Sequence, residues 1–379
     1  MNYQDLFNSL MKLSIETDTF YHKDFQLDAI TYRIFNYRLA NYTEFLLPGA
    51  VECRGIMFEV NDDNLIKLSS LPMAKFWNLN ENSLTMNLDL SKIKRFMAKA
   101  DGSLINSYLH RGTLRLKTKG SIDSEQCIMA MKWLNKPEYN SLSKIIHYYT
   151  ANGHTCNLEW IGPANRIVLG YPHNCLRLLN IRKHEDGSYI NLYSDQFDDI
   201  KNHIIESIIP ADPIKFVNEI PNMKGIEGFV AQFNDGTNNI SKPTFIKIKT
   251  AEYLALHHTK DSINSQRRLF ECVLEEATDD LRSMFYDDPT AIKLIEDMEK
   301  FVEIEYNKLV LTIDNFLSTN KYLERKEFAI KGQKELPKKW FGLAMNKYLG
   351  KEISFKTWMK QNWKTYNIKD DGDGDGDGD

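Results

Sequence analysis

The stretch Phe245-Ile246-Lys247-Ile248-Lys249 alternates apolar and basic residues, which is the period-two pattern of a β-strand with one buried face. Earlier strand-like runs, such as Gly55-Ile56-Met57-Phe58-Glu59 and Leu114-Arg115-Leu116-Lys117, are separated by Gly, Asn and Asp, the residues of turns. After about residue 250 the spacing becomes helical, with an apolar stripe from Ile295 to Phe316 on a long helix after Pro289. The sequence therefore predicts an α+β domain followed by a smaller all-α domain.

The chain divides into three predicted segments: an α+β domain over 1–250, a helical domain over 251–366 and a disordered Asp-Gly tail over 367–379. The 379 residues include 48 Lys and Arg against 52 Asp and Glu, a formal charge of −4. Removing the tail's six aspartates changes this charge to +2 for residues 1–369. The balance excludes a histone-like polycation, so a nucleic-acid surface must be a local basic patch. Shorter helices are predicted over Ser124–Trp133, Leu142–Tyr149, Tyr322–Ile330, Lys338–Tyr348 and Phe355–Asn362.

The cysteines and the chain start predict an intracellular protein. Five cysteines occur without CxxC or CxxH spacing, which is typical of reduced thiols that pack in a core. The first residues lack the basic and apolar regions of an export signal. No uninterrupted apolar stretch approaches the length of about 18 residues that a membrane span needs. We therefore expect a soluble protein with no membrane partner.

A set of charged residues on predicted strands points to a cleft. Lys99-Ala100-Asp101-Gly102-Ser103 places a lysine beside an Asp-Gly turn, and this motif alone is typical of an ordinary hairpin. Downstream, strand alternation predicts that Arg115, Lys117 and Lys119 share one face. Two carboxylates and two further lysines then follow on later strands, at Glu159, Glu227, Lys247 and Lys249. Together they predict a cleft that is rich in lysine and contains two carboxylates.

This combination suits covalent nucleotidyl transfer. A lysine amine attacks phosphorus only as the free base, although its ordinary pKa is about 10.4. Neighbouring Lys117, Lys119, Lys247 and Lys249, with a divalent cation, would lower the pKa of Lys99 and neutralise a triphosphate. The carboxylates could hold Mg²⁺ or a ribose hydroxyl. The Walker motif G-x-x-x-x-G-K-[ST] is absent from the chain.

The order of these motifs resembles that of the lysine nucleotidyltransferases, which comprise ATP-dependent DNA and RNA ligases and mRNA-capping enzymes. The matching motifs are Lys99-x-Asp101-Gly102, Glu159, Leu178-Leu179-Asn180, Glu227-Gly228 and Lys247-Ile248-Lys249. The flanking sequence resembles the RNA ligase 1 family of T-even-type bacteriophages. Two of the similar segments are Glu52-Cys53-Arg54-Gly55-Ile56-Met57-Phe58-Glu59 and Asn165-Arg166-Ile167-Val168-Leu169. The resemblance runs from about residue 3 to beyond 285. It implies a nucleotidyltransferase domain of antiparallel sheets flanked by helices.

The resemblance also implies a role for each matching residue. Lys99 would be the nucleophile that takes AMP from ATP, acting with the other catalytic residues Glu227, Lys247 and Lys249. The ATP-contacting residues would be Tyr37, Arg54, Lys75, Gly102, Lys119, Glu159, Leu179, Val230, Lys247 and Lys249. Glu159 would bind the ribose, and Leu179 and Val230 would sandwich the adenine. Metal ligands would be Glu227 and the acidic pair Asp279 and Asp280. Trp77, where the family has phenylalanine, would keep an aromatic wall.

The implied function is ATP-dependent RNA ligation that proceeds through lysyl-AMP and an RNA 5′-adenylate. The cofactors would be ATP and Mg²⁺, with Mn²⁺ as an alternative. The partners would be single-stranded RNA ends, in particular a tRNA nicked in its anticodon loop, bound by a monomer in the host cytoplasm of an infected bacterium. Three alternatives stay open: a DNA ligase, a capping guanylyltransferase and a catalytically silent RNA-binding protein. The first two usually continue into an OB-fold barrel, which the helical spacing after residue 260 does not predict.

Overall fold

The computed structural model describes residues 2–165, 167–233, 244–256, 263, 265–351 and 353–368. The predicted Asp-Gly tail lies outside these residues from position 369 onward. Contacts divide the chain into two compact units, 1–257 and 258–379. Across the described residues, no helix combines the length and apolarity that a bilayer crossing requires.

The first unit begins with a helix packed on a four-stranded antiparallel sheet. The helix α1 (Tyr3–Glu16) starts at Asn2, whose side chain accepts hydrogen bonds from the Gln4 and Asp5 amides. Its buried Phe7 makes edge-to-face contacts with Phe35 and Phe58 of the sheet. The strands, in spatial order, are β1 (Phe20–Leu27), β2 (Ile30–Tyr37), β3 (Ile56–Asn61) and β4 (Asn64–Ser70).

Two further antiparallel sheets complete this unit. One has the order β10-β5-β11-β12, with β5 (Arg95–Lys99), β10 (Ser207–Ile208), β11 (Gly228–Gln232) and β12 (Phe245–Lys249). The other has the order β7-β6-β8-β9, with β6 (Ser103–His110), β7 (Thr113–Lys117), β8 (His154–Ile161) and β9 (Cys175–Lys183). The helices of this region are α2 (Glu125–Leu134), α3 (Asn140–Ala151), α4 (Pro213–Glu219) and α5 (Ala251–Leu256).

The main apolar core of the first unit lies between the β7-β6-β8-β9 sheet and the helices α2 and α3. It contains Ile105, Leu116 and Leu158 from the strands and Leu134 and Ile146 from the helices, all nearly or fully buried. Burial of this apolar area is the principal favourable contribution to the free energy of folding. Because one sheet face is covered by helices, the opposite face is available for polar and functional side chains.

The described residues of the second unit form helices joined by short loops, and none of them lies in a β-strand. Its helices are α6 (Gln266–Leu274), α7 (Thr278–Met284), α8 (Pro289–Asn320), α9 (Arg325–Glu335), α10 (Phe341–Tyr348) and α11 (Phe355–Gln361). The long helix α8 begins with proline at its first position, and the Asp288 side chain accepts hydrogen bonds from the Thr290 and Ala291 amides. Its buried Ile295 packs with Leu269 and Leu281. The predicted order of an α+β domain and a helical domain is confirmed.

Candidate active site

Three neighbouring strands place Lys99 at the centre of a charged cluster. Lys99, at the end of β5, pairs with Gly228 of β11, which in turn pairs with Lys249 of β12. Cross-strand partners project to the same face of a sheet, so both lysines lie on one face with a glycine between them. A Cβ atom at Gly228, whose φ is +148°, would lie 2.0 Å from the Ile248 carbonyl oxygen. The glycine therefore allows the close approach of these strands, as its sequence context predicts.

Glu227 joins the two lysines. The Nζ atom of Lys99 lies 2.6 Å from Glu227 Oε1, and the Nζ atom of Lys249 lies 3.5 Å from the same oxygen. The Glu227 side chain is only 2% exposed. Its second oxygen, Oε2, is buried and has no hydrogen-bond partner among the described residues. A buried carboxylate oxygen without a partner is energetically unfavourable, which makes this atom a candidate ligand for a cation.

A cavity of about 520 Å³ opens beside this cluster. Nine of the predicted site residues line it: Arg54, Lys99, Gly102, Lys119, Glu159, Leu179, Val230, Lys247 and Lys249. Tyr37, Lys75 and Glu227 are not among the lining residues. The Tyr37 ring lies 4.4 Å from Lys119 Nζ and 5.9 Å from Lys75 Nζ, and Glu227 contacts the lining residues Lys99 and Lys249. The structure thus brings cations, one carboxyl and apolar side chains together around a space of the size that ligand pockets occupy.

The pKa of Glu159 is unusually high for a glutamate. Burial raises the pKa of its carboxyl to about 8, with Lys99 opposing the shift and Glu227 reinforcing it. The raised pKa means that Glu159 keeps its proton to a higher pH than an ordinary glutamate does. A neutral carboxyl can donate one hydrogen bond and accept another, which suits contact with a sugar hydroxyl.

Lys117 does not take the predicted position. It is fully buried and donates hydrogen bonds to the carbonyl oxygens of Gly55, at 2.6 Å, and Thr118, at 3.1 Å. Arg115, on the same strand, is exposed. The expected alternation of the strand holds, because Leu114 and Leu116 lie in the core. The prediction of Lys117 in the cleft is wrong because the segment around Gly55 covers this end of β7.

The aromatic wall is formed by a different residue from the one predicted. Trp77 is 4% exposed and packs in the core with Phe45, whereas its neighbour Phe76 lines the cavity. The expectation that Trp77 forms the wall is therefore wrong. The side chains of neighbouring residues in an extended backbone point in opposite directions. A shift of one position therefore moves the aromatic wall of the cavity from Trp77 to Phe76.

Asp101 is connected to parts of the chain that carried no predicted role. Its carboxylate accepts hydrogen bonds from the Val168 and Leu169 amides, at 2.7 and 2.6 Å, and from the Tyr253 hydroxyl at 2.8 Å. These bonds fix the turn that follows Lys99. Sequence reasoning missed Tyr253 because no local motif marks it. It also missed other residues of the cavity wall: Met73, Ser103, Leu104, Thr118 and Gln126.

The predicted metal ligands belong to two different units of the chain. Glu227 belongs to the first unit, whereas Asp279 and Asp280 lie in the first turn of α7 in the second unit. In the part of the chain that the structure describes, no three His, Cys, Asp or Glu side chains are grouped to hold a metal ion. A metal role for Asp279 and Asp280 stays a prediction.

Comparison with known proteins gives related matches in both units. Residues 52–254 match the family model described as RNA ligase, and residues 260–367 match the model described as T4 RNA ligase 1, C-terminal domain. RNA ligase 1 of Bacteriophage TS2126 is 27% identical over 248 residues, covering 62% of this chain and 59% of that protein. A putative bifunctional polynucleotide kinase/RNA ligase of Autographa californica nuclear polyhedrosis virus is 25% identical over 280 residues, covering 66% of this chain.

The matched regions make up only 59% and 39% of the lengths of these two relatives. Among solved structures, an archaeal ATP-dependent RNA ligase superposes with a TM-score of 0.49 at 12% identity, covering 82% of each chain. The two family models together extend over most of the chain, and the first alone covers more than half of it. The chain therefore belongs to the RNA ligase 1 family.

Proposed function

We propose that this protein is an ATP-dependent RNA ligase that joins 5′-phosphate and 3′-hydroxyl ends through lysyl-AMP on Lys99 and an RNA 5′-adenylate. The observation that carries this proposal is the position of Lys99 Nζ, at a cavity lined by four other cations and 2.6 Å from Glu227. Those cations are Arg54, Lys119, Lys247 and Lys249. Such a wall stabilises the phosphates of ATP and the departing pyrophosphate.

In the first step the deprotonated Lys99 amine attacks the α-phosphorus of ATP. A nitrogen–phosphorus bond forms, the bond from the α-phosphorus to the bridging oxygen breaks, and pyrophosphate leaves with the electron pair. The Glu227 carboxylate is within hydrogen-bond distance of Nζ, so it is placed to receive the proton that the amine loses. Leu179 and Val230 line the cavity where the adenine would lie, and Glu159 is available to the ribose.

A divalent cation fits the carboxylate at this site. Glu227 Oε2 is buried and lacks a hydrogen-bond partner among the described residues, and Mg²⁺ is commonly held by one or two carboxylates together with substrate phosphates. When bound there, Mg²⁺ or Mn²⁺ would neutralise phosphate charge during nucleotidyl transfer. The remaining steps depend on the positions of the protein's own cations.

In the second step a phosphate oxygen of the RNA 5′ end attacks the phosphorus of lysyl-AMP. The nitrogen–phosphorus bond breaks, the Lys99 amine regains a proton, and the RNA carries a 5′-adenylate. In the third step a 3′-hydroxyl attacks the RNA phosphorus, loses its proton, and AMP leaves. The same lysines serve all three steps because each transition state places negative charge on phosphoryl oxygens.

The helical unit supports RNA as the partner. Residues 321–364 contain twelve Lys and Arg against four Asp and Glu. Such a local excess of positive charge attracts the phosphate backbone of a nucleic acid. In this proposal the unit selects a tRNA nicked in its anticodon loop, and the enzyme acts as a monomer in the host cytoplasm. The helical character of the described residues beyond 264 disfavours the OB-fold continuation that DNA ligases and capping enzymes usually have.

The decisive experiment is mass spectrometry of the purified protein before and after incubation with ATP and Mg²⁺. We expect a mass increase of one AMP on the peptide that contains Lys99. The Lys99→Ala and Lys99→Arg variants should form no adduct, because neither provides a free amine at neutral pH. Lys92→Ala, a change of an exposed lysine near the same strand, is the matched control.

Two outcomes would contradict the proposal. An adduct that forms from GTP and not from ATP would indicate a capping guanylyltransferase. A wild-type protein that binds RNA but forms no adduct with either nucleotide would indicate a silent RNA-binding protein.

A further inference from the structure

Lys117 is a buried amine in a setting that ordinarily excludes a charged group. It is 0% exposed, and no carboxylate pairs with it in the described part of the chain. Its hydrogen bonds go to the carbonyl oxygens of Gly55 and Thr118. Burial lowers the pKa of its amine to about 7. A group that is this costly to bury calls for a compensating role.

The two carbonyl groups that Lys117 contacts lie next to two cavity cations. Gly55 follows Arg54, and Thr118 precedes Lys119, and both of these basic side chains line the cavity. The two backbone segments also touch, because a Cβ atom at Gly55 would lie 2.7 Å from the Lys119 carbonyl oxygen. Gly55 has a φ of +91°, which favours glycine as well. One buried amine thus holds together the segments that carry Arg54 and Lys119.

A row of buried asparagines starts beside Lys117 and crosses the sheet. Successive cross-strand partners are Lys117 of β7, Asn106 of β6, Asn157 of β8 and Asn180 of β9. Asn106 Nδ2 donates to Asn157 Oδ1 at 2.6 Å, and Asn157 Nδ2 donates to Asn180 Oδ1 at 2.7 Å. In both bonds the donor lies on the strand nearer to β7 and the acceptor on the strand farther from it. Asn106 Oδ1 is buried without a partner among the described residues, on the residue that faces Lys117.

The far end of this row reaches the apolar part of the cavity. Asn180 Nδ2 contacts Met73 Sδ at 2.7 Å, and Asn180 adjoins Leu179. Met73 and Leu179 both line the cavity. Hydrogen-bonded rows of buried amides are rigid, since any shift would leave a polar group unsatisfied. The row therefore connects the backbone near Lys117 with the wall proposed to hold adenine.

We propose that Lys117 is a positioning residue that fixes Arg54 and Lys119 at the spacing a bound triphosphate requires. The asparagine row sets the distance between that pair and the Leu179 wall. This inference rests on the proposed function, because it takes ATP to be the occupant of the cavity. Lys117 itself does not line the cavity, so it acts only through its neighbours.

The test is the Lys117→Met variant, with Arg115→Met as the matched control. Arg115 is a basic residue on the same face of the same strand, but it is exposed. For Lys117→Met we expect the KM for ATP in lysyl-AMP formation to rise by about 10- to 100-fold, as displaced positioning groups typically cause. Binding of AMP, measured by calorimetry, and sealing of pre-adenylated RNA without ATP should change less than about twofold, because neither involves the β- and γ-phosphates. Arg115→Met should match the wild type.

A second variant separates positioning from simple structural support. Lys117→Gln keeps an N–H donor for Gly55 without the charge, so it should recover part of the ATP affinity that Lys117→Met loses. If both variants fail to fold, or if both lose ATP and pre-adenylated RNA activity alike, Lys117 is a structural residue and the inference is wrong. A wild-type protein that forms no lysyl-AMP would overturn the proposed function instead. The comparison of ATP binding with AMP binding would still decide the role of Lys117.

Discussion

The Glu159 carboxyl couples the stability of the fold to pH. Burial raises its pKa to about 8 in the folded protein, whereas the pKa of a glutamate in an unfolded chain is about 4.3. Between these values the folded state holds a proton that the unfolded state has released. The stabilisation from this proton is therefore fully present below about pH 4.3 and is lost as pH rises through about 8.

We predict that Glu159→Gln, which makes the side chain permanently neutral, is more stable than the wild type at high pH. The difference in melting temperature should be near zero at pH 4 and should grow to several degrees at pH 9, equivalent to about 1–3 kcal/mol. Thermal unfolding over this pH range measures it. Glu138→Gln, at an exposed glutamate, is the control and should show no such trend. A difference for Glu159→Gln that does not vary with pH would contradict the prediction.

Individual site residues could be predicted from sequence where the chemistry demands a residue type. A lysine next to an Asp-Gly turn, followed by carboxylates and lysines on later strands, predicts that Lys99, Glu159 and Glu227 share one cleft. The structure places Lys99 and Glu159 at one cavity, with Glu227 in contact with Lys99. Alternation along the strand also predicts correctly that Leu114 and Leu116 lie on the face opposite Lys117, because both leucines pack in the core. What failed was the environment of Lys117, because its burial is set by Gly55, a residue 62 positions away in sequence. No local pattern contains that contact.

At the scale of elements, a buried ion pair links the first sheet region to the β7-β6-β8-β9 sheet. Arg182, at the end of β9, is 0% exposed and donates two hydrogen bonds of 2.7 Å to the carboxylate of Glu52, which lies just before β3. The same guanidinium donates to the carbonyl oxygens of Pro72 and Gly187. The bidentate geometry and the extra acceptors satisfy a charge that would otherwise be unfavourable to bury.

We predict that Glu52→Ala destabilises the first unit by about 3–5 kcal/mol, because it leaves the Arg182 charge buried without its carboxylate. Chemical denaturation followed by fluorescence measures the change. Glu16→Gln breaks the exposed pair with Lys12 and should cost less than about 1 kcal/mol, so it serves as the control. Equal effects of the two changes would show that burial of the Arg182–Glu52 pair does not matter for stability.

Helices were more predictable than strand pairing. The apolar stripe and Pro289 indicated a long helix, and the structure has one over Pro289–Asn320. The prediction over Phe355–Asn362 likewise differs from the observed Phe355–Gln361 by a single terminal residue. These elements depend on local spacing and caps. The sheet orders β10-β5-β11-β12 and β7-β6-β8-β9 join segments far apart in the chain, so alternation alone could not reveal them.

At the scale of the whole molecule, the residues proposed to bind ATP and to carry AMP lie in the first unit. The first unit ends at position 257. Glu227 and every residue that lines the cavity lie before that position. The first unit also has its own apolar cores, including the one around Ile105 and Leu158. The excess of positive charge over 321–364 lies in the second unit. Adenylylation and RNA selection are therefore expected to be separable.

We predict that a fragment of residues 1–257 forms lysyl-AMP at a rate within about threefold of the full chain, since the nucleotide contacts are all retained. The same fragment should join a nicked tRNA poorly, and its joining rate should depend less steeply on salt. The reason is that each lost Lys or Arg contact with a phosphate lowers the slope of log affinity against log salt by about 0.7–0.9. The measurements are AMP labelling and tRNA joining at several salt concentrations, with the full chain as reference.

The outcome distinguishes two physical roles for the helical unit. If it supplies phosphate contacts, the full chain and the fragment should converge at high salt, because screening removes the advantage of the extra cations. If it merely stabilises the first unit, the fragment should lose lysyl-AMP formation and tRNA joining together, at every salt concentration. A fragment that folds, forms lysyl-AMP and joins tRNA with the salt dependence of the full chain would remove RNA selection from the second unit.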